Sequence, residues 1–177
     1  MALLGLLRRR PHERAGFALY TAAVEAARDP ALYGPEAVPD TLDGRFDLIA
    51  LHVALLVRRL RGDPDPRGPA LAQAVFDAMF ADMDMSLREM GVGDMSVGKR
   101  VKNMWEAWHG RARAYETALE AGDRFALEEA LSRNVWRGAA PGGAVERLAD
   151  RAMGLDAVLA TARLDGLVAG RAFGAAA

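Results

Sequence analysis

Several short patterns in this 177-residue chain combine residue types that carry out chemistry in other proteins. The segment from Gly93 to Lys99 has the glycine and lysine spacing of a phosphate-binding loop. Such a loop follows a β-strand and needs serine or threonine at the next position to hold magnesium. Here the next residue is Arg100, and helical patterns lie on both sides. We therefore interpret the segment as a corner between two helices and do not predict nucleotide hydrolysis.

Glu106 and His109 form a Glu-x-x-His pair, which di-iron bundles carry on their helices. A di-iron centre requires this pair twice, together with glutamates from two further helices, and neither His12 nor His52 repeats it. The chain also contains no cysteine, which excludes disulfides and zinc–thiolate sites. The sequence therefore predicts no metal site and no cofactor.

His52 lies within the most apolar segment of the chain, without a serine or cysteine nucleophile nearby. A general base needs a positioned partner, so we predict instead a core histidine that bonds to a backbone carbonyl. No catalytic residue is predicted, and the chain is not expected to be an enzyme. One alternative stays open: a helical bundle that binds a small molecule or haem, in which His52 or His109 ligates the iron together with a methionine.

The net charge of −1 and the isoelectric point near 6.3 argue against general nucleic-acid binding, which requires a broadly basic face. Residues 1–12 are predicted to be a flexible N-terminal segment, because chain ends without docking contacts are commonly disordered. In a second interpretation, the leucines and arginines of this segment touch an anionic membrane surface. Residues 13–177 are predicted to form one helical domain that does not cross a membrane.

Helical periodicity predicts an all-α fold, a single-domain bundle of about six helices. The second helix is apolar on nearly every side, so it is predicted to be the buried centre of the bundle. Asp94 or Ser96 is predicted to cap the fourth helix. The stripes predicted to face the core include Phe17 in the first helix, Met90 in the third and Trp105 in the fourth. The predicted helices cover residues 13–28, 45–61, 69–90, 94–121, 123–135 and 144–162.

Residues 76–105 differ in composition from the rest of the chain. Five of the eight methionines lie between Met79 and Met95, and the only two lysines, Lys99 and Lys102, follow them. These lysines lie near a predicted helix N-terminus, where the helix dipole favours acids. Methionine adapts to varied partner surfaces, so we interpret the segment as a binding surface for another macromolecule. The candidate partner-binding residues are Met83, Asp84, Met85, Arg88, Glu89, Asp94, Lys99, Arg100 and Lys102.

Four stretches of the chain resemble the ubiquinol–cytochrome c chaperone family of alphaproteobacteria and mitochondria. The similarity covers about residues 20–135. The long ordered series of Gly, Asp and Met positions makes it more specific than a short motif. The four stretches are VPDTLDGRF at 38–46, FDAMFADMD at 76–84, LREMGVGD at 87–94 and VGK at 97–99.

The resemblance implies a non-catalytic assembly factor for ubiquinol–cytochrome c reductase, which is respiratory complex III. Mitochondrial members bind newly made cytochrome b, together with a small partner protein near the ribosomal exit tunnel. It therefore implies that this chain holds immature cytochrome b or a related client. A role for the ribosome or for a small partner protein is left open. The resemblance also implies a cytoplasmic location, with peripheral contact at the inner membrane as an open alternative.

Overall fold

The computed structural model describes residues 12–171 and 173. Residues 1–11 of the predicted flexible segment lie outside the described residues. The described residues form a single all-α domain without β-strands, which confirms the predicted fold class. A 3-10 turn at Pro30–Leu32 precedes the second helix, and a π-helical turn at Leu167–Arg171 follows the last one. The helices are α1 (Glu13–Ala27), α2 (Leu42–Arg61), α3 (Arg67–Glu89), α4 (Asp94–Ala121), α5 (Arg124–Val135), α6 (Ala144–Thr161) and α7 (Leu164–Gly166).

Helix α2 is the centre of the bundle, as its apolar sequence predicted. Helices α1, α3, α4, α5 and α6 all pack against it. Side chains such as Leu48, Val53 and Leu56 are completely buried. Burial of each stabilises the fold by about 1.5–3 kcal/mol, so α2 holds the surrounding helices together. No helix in the described part of the chain combines enough length with enough hydropathy to span a bilayer.

Helix α2 begins earlier than the predicted start at residue 45, because a threonine caps its first turn. Thr41 Oγ1 accepts a hydrogen bond from the backbone N–H of Gly44 at 3.1 Å. Gly44 packs against the Pro39 carbonyl with no room for a Cβ atom. Leu32 and Val38 are buried, so the preceding loop is anchored on the core.

Helix α1 is rotated relative to the predicted orientation. The predicted burial of Phe17 is wrong, since its side chain is 59% exposed. The buried face contains Gly16, Leu19 and Tyr20, of which Tyr20 belongs to the predicted stripe. A Cβ on Gly16 would lie 2.6 Å from the backbone carbonyl carbon of Ala74, so α1 approaches α3 too closely for a larger residue. This close approach turns the Gly16 face inward and leaves Phe17 outside.

Helix α6 is attached to α2 through the guanidinium group of Arg59. The Nε of Arg59 donates to the Leu159 carbonyl at 2.9 Å, and one Nη donates to the Ala162 carbonyl at 2.8 Å. These carbonyls lie at the end of α6, where backbone acceptors have no partner within the helix. Arg59 also pairs with Asp63 at 2.5 Å. The C-terminal end of α6 is therefore fixed on the central helix.

Candidate partner-binding surface

Arg88 braces the corner between α3 and α4. Its Nε donates to Asp84 Oδ2 at 2.7 Å, one turn earlier on the outside of α3. One of its Nη atoms donates to Asp94 Oδ1 at 2.5 Å, at the first residue of α4. Gly91 makes the left-handed turn between the helices, with a φ of 79°. Two of the candidate aspartates thus hold the corner together.

The predicted cap of α4 is wrong. Gly93 precedes the helix, and no side chain caps its first turn. Asp94 is already the first helical residue, and its carboxylate bonds to Arg88 instead of to the backbone. Ser96 lies inside the first turn, beyond the capping position. The phosphate-loop-like segment is therefore the start of a helix that follows another helix, as interpreted from the sequence.

Three large apolar side chains are exposed around this corner: Met85 at 59%, Met90 at 55% and Trp105 at 45%. Met85 is exposed because it lies off the inner stripe of its helix, which contains Met79, Met83 and Leu87. The predicted burial of Met90 and Trp105 is wrong. Met90 follows the last residue of α3. Trp105 lies about 80° around α4 from the buried Val97, at the edge of the inner stripe.

Met83 is the candidate residue that the structure places in the core. It is 7% exposed and shares a face of α3 with the buried Met79 and Leu87. A partner that approaches the corner therefore meets the neighbouring side chains before it meets Met83. For this reason Met83 is not included in the surface defined below.

The basic candidates at the start of α4 are available to a partner. Lys99 and Arg100 are exposed and form no ion pair with any described residue. Lys102 Nζ lies 3.8 Å from Glu106 Oε1, a weak pair between solvated side chains. We define the corner surface as the exposed residues around the α3–α4 turn. Its members are Met85, Glu89, Met90, Lys99, Arg100, Lys102 and Trp105.

Gly98 lies among these residues, yet the packing of the chain does not require a glycine there. A Cβ at Gly98 would meet no atom within 4 Å in the described part of the chain. Glycine inside a helix costs about 1 kcal/mol relative to alanine. Such a violation of local preference is typical of functional positions.

The two histidines considered as haem ligands lie in different surroundings. His52 is 5% exposed, and its Nδ1–H donates to the Leu48 carbonyl at 2.8 Å, which confirms the predicted core histidine. Burial lowers the pKa of His52 below its ordinary value. His109 is exposed, and its ring packs on Trp105 with 3.9 Å between the ring centres. No group of three or more His, Cys, Asp or Glu residues among those described is arranged to hold a metal ion.

A groove of about 700 Å³ runs between α2, α3 and α4. Phe76, Trp108 and His109 line it. Because His109 contacts both Phe76 and Trp105, the groove continues into the corner surface. Sequence reasoning missed this groove, since its walls come from three helices whose relative placement no local pattern encodes.

Together these features define an all-α protein in which exposed methionine, tryptophan and arginine side chains occur on the last part of α3 and the first half of α4. These residue types are enriched at protein–protein interfaces. The family model for Ubiquinol-cytochrome C chaperone matches residues 36–174, and the chain belongs to this family. Membership in the family predicted from the sequence is therefore confirmed.

Two relatives extend this comparison. Over 121 residues the chain is 24% identical to ubiquinol-cytochrome-c reductase complex assembly factor 1 of Xenopus laevis. That match covers 68% of this chain, which spans 60% of the length of the relative. The crystal structure of the Cbp3 homolog from Brucella abortus has the same fold, with a TM-score of 0.78 and 36% sequence identity. The structural match covers 90% of this chain and 87% of the Brucella chain.

Proposed function

We propose that this chain is a non-catalytic assembly chaperone for ubiquinol–cytochrome c reductase, and that its client is immature cytochrome b. The family match over residues 36–174 is the observation that carries the proposal. The Xenopus relative is named as an assembly factor of the same complex, which supports the choice of complex. The Brucella structure supports the same fold at 36% identity.

The corner surface is the proposed contact with the client. Met85, Met90 and Trp105 offer exposed apolar area, and methionine adapts to irregular client surfaces. Lys99 and Arg100 pair with no described residue, so an acidic client segment binds them without breaking an internal ion pair. Charges of this kind orient a client and raise the association rate, while apolar contacts lengthen the lifetime of the complex.

In this proposal the protein acts in the cytoplasm, at the surface of the inner membrane, where the client is inserted. The ribosome or a small partner protein presents the emerging client to the corner surface. The client leaves as haem or later subunits occupy its binding segments. Gly98 contributes by letting the client backbone approach α4 closely, because no side chain stands between them.

The test reverses the charges of the corner surface. Lys99, Arg100 and Lys102 are replaced together by glutamate, and the amount of cytochrome b captured with the tagged protein from respiring cells is measured. We expect capture to fall at least about tenfold, because three favourable charge contacts become repulsive.

A matched control changes the same amount of charge elsewhere. It replaces the exposed arginines Arg14, Arg133 and Arg163 by glutamate, all three of which lie outside the corner surface. Both variants are checked for an unchanged helical circular dichroism spectrum. Equal capture by the two variants would remove the corner surface from the proposal. The proposed function would be contradicted if cells that lack the protein contained normal amounts of assembled ubiquinol–cytochrome c reductase.

A further inference from the structure

The groove between α2, α3 and α4 has the volume and lining of a second binding site. Its lining includes Ala54, Ala72 and Ala112, one small side chain from each of the three helices. Small side chains allow the main chain of a ligand to approach closely. Phe76 and Trp108 pack edge to face in the same lining, with ring centres 5.0 Å apart. A volume of about 700 Å³ is within the range of sites that enclose small ligands.

Two residues that line this groove each carry a buried hydrogen-bond donor without an acceptor. The donors are the indole N–H of Trp108, a residue that is 5% exposed, and the Nε of Arg58. No other buried side-chain nitrogen or oxygen in the described part of the chain lacks a partner. Buried polar groups in folded proteins are nearly always hydrogen-bonded. Two unpaired donors on residues that line one groove therefore indicate a ligand that brings acceptors.

The charges of the groove favour the same kind of ligand. Arg58 is paired with Asp156 at 2.5 Å, and Arg61 lies 3.7 Å from Glu116. Arg113 also lines the groove and forms no ion pair with any described residue. One unpaired cation thus accompanies the unpaired donors. A carboxylate satisfies both requirements, because it accepts hydrogen bonds and carries a negative charge.

We infer that the groove binds a short acidic segment of a partner polypeptide. A carboxylate of the segment pairs with Arg113 and accepts a hydrogen bond from the Trp108 indole, while small apolar neighbours lie on the alanines. An anionic membrane fits less well, because Trp108 is only 5% exposed in a groove between three helices, and a flat lipid surface does not enter such a groove. The contact between His109 and Trp105 makes the groove continuous with the corner surface, so one partner chain occupies both. The inference holds whichever protein supplies the segment.

The test uses the purified protein and short blocked peptides of alanine and leucine with glutamate, glutamine or lysine at the same positions. Binding is followed through the indole N–H signals of the 3 tryptophans in a proton–nitrogen correlation spectrum. We expect the glutamate peptide to shift the Trp108 signal, which is assigned by its loss in Trp108→Phe. The Trp136 signal should stay in place, because its N–H already donates to the Ala37 carbonyl at 3.2 Å.

Charge reversal separates the possible occupants. Arg113→Glu should bind the glutamate peptide at least about tenfold more weakly, since an ion pair becomes a repulsion. Arg163→Glu is the matched control and should bind as the unmodified protein does, because Arg163 is exposed outside the groove. Equal binding of all three peptides, or an unshifted Trp108 signal, would overturn the inference. The inference would also be overturned if Arg113→Glu left peptide binding unchanged. In that case, loss of binding to phosphatidylglycerol vesicles would identify a membrane as the occupant, and loss of self-association would identify a second copy of the protein.

Discussion

Asp47 on α2 and Arg137, just beyond the end of α5, form an ion pair with 2.5 Å between Oδ2 and Nη1. The carboxylate is 1% exposed and also accepts a hydrogen bond from Arg111 on α4. Arg137 has a φ of 54°, in the left-handed region that favours glycine. Its Nη1 also donates to the Val135 carbonyl at 3.0 Å, so several bonds hold this unfavourable backbone. One buried carboxylate thus joins α2, α4 and the segment that follows α5.

Replacement of Asp47 by asparagine should lower the free energy of unfolding by about 3 kcal/mol, because two arginines lose a buried counter-ion. Urea unfolding measures this loss. Asp40→Asn is the control, since it breaks a pair with Arg45 in which the Asp40 side chain is 54% exposed. Solvent screens that pair, so its removal should change stability much less. Equal losses in the two variants would contradict the role assigned to Asp47.

The two glycines Gly16 and Gly98 should respond to alanine in opposite directions. Gly16→Ala should lower the free energy of unfolding by about 1–3 kcal/mol, because the new methyl group collides with the backbone of Ala74. Gly98→Ala should raise it by about 0.5–1 kcal/mol, since the space is open and alanine favours the helix. Thermal or urea unfolding of both variants checks the signs. A stabilised Gly16→Ala protein would show that α1 does not approach α3 as described.

Protonation of His52 should make stability depend on pH. Burial lowers its pKa below the ordinary value of 6.5, so the unfolded chain takes up this proton at a higher pH than the folded protein does. The contribution of His52 to stability is therefore complete above the ordinary pKa of 6.5 and is lost as the pH falls below it. His52→Leu should flatten this part of the curve. Unfolding measured at several pH values checks it, and an unchanged slope in the variant would argue against the buried neutral ring.

The order of the helices and most of their ends were predictable from the sequence, because local chemistry sets them. Gly91 follows α3 and has the left-handed conformation that commonly ends a helix. Asp123 Oδ1 accepts a hydrogen bond from the Ala126 N–H at 3.0 Å, as a cap of α5 should. The rotation of a helix about its own axis was less predictable. In α1 the close contact of Gly16 with Ala74 decides it, and apolar periodicity alone wrongly placed Phe17 inside.

The same distinction applies to the candidate site. Unusual composition indicated the corner surface, since lysine and methionine concentrate there and Met85 lies off the inner stripe. The groove was not predictable, because the lack of acceptors for Arg58 and Trp108 depends on how α2, α3 and α4 are arranged in space. In the sequence, Asp47 is only a charged residue that interrupts an apolar helix. Its role is seen in the structure, where two arginines that are distant in the sequence lie beside it.

The hydrogen bonds of Arg59 have a consequence for how the chain is made. Its acceptors on Leu159 and Ala162 follow it by 100 and 103 residues. During translation one side of α2 therefore stays uncovered until the end of α6 has left the ribosome. Domains generally fold as units, so the core around α2 is completed only after α6 has been made. A chain truncated before residue 159 should therefore expose an apolar side of α2, and it should aggregate and be cleaved by proteases more readily than the full chain.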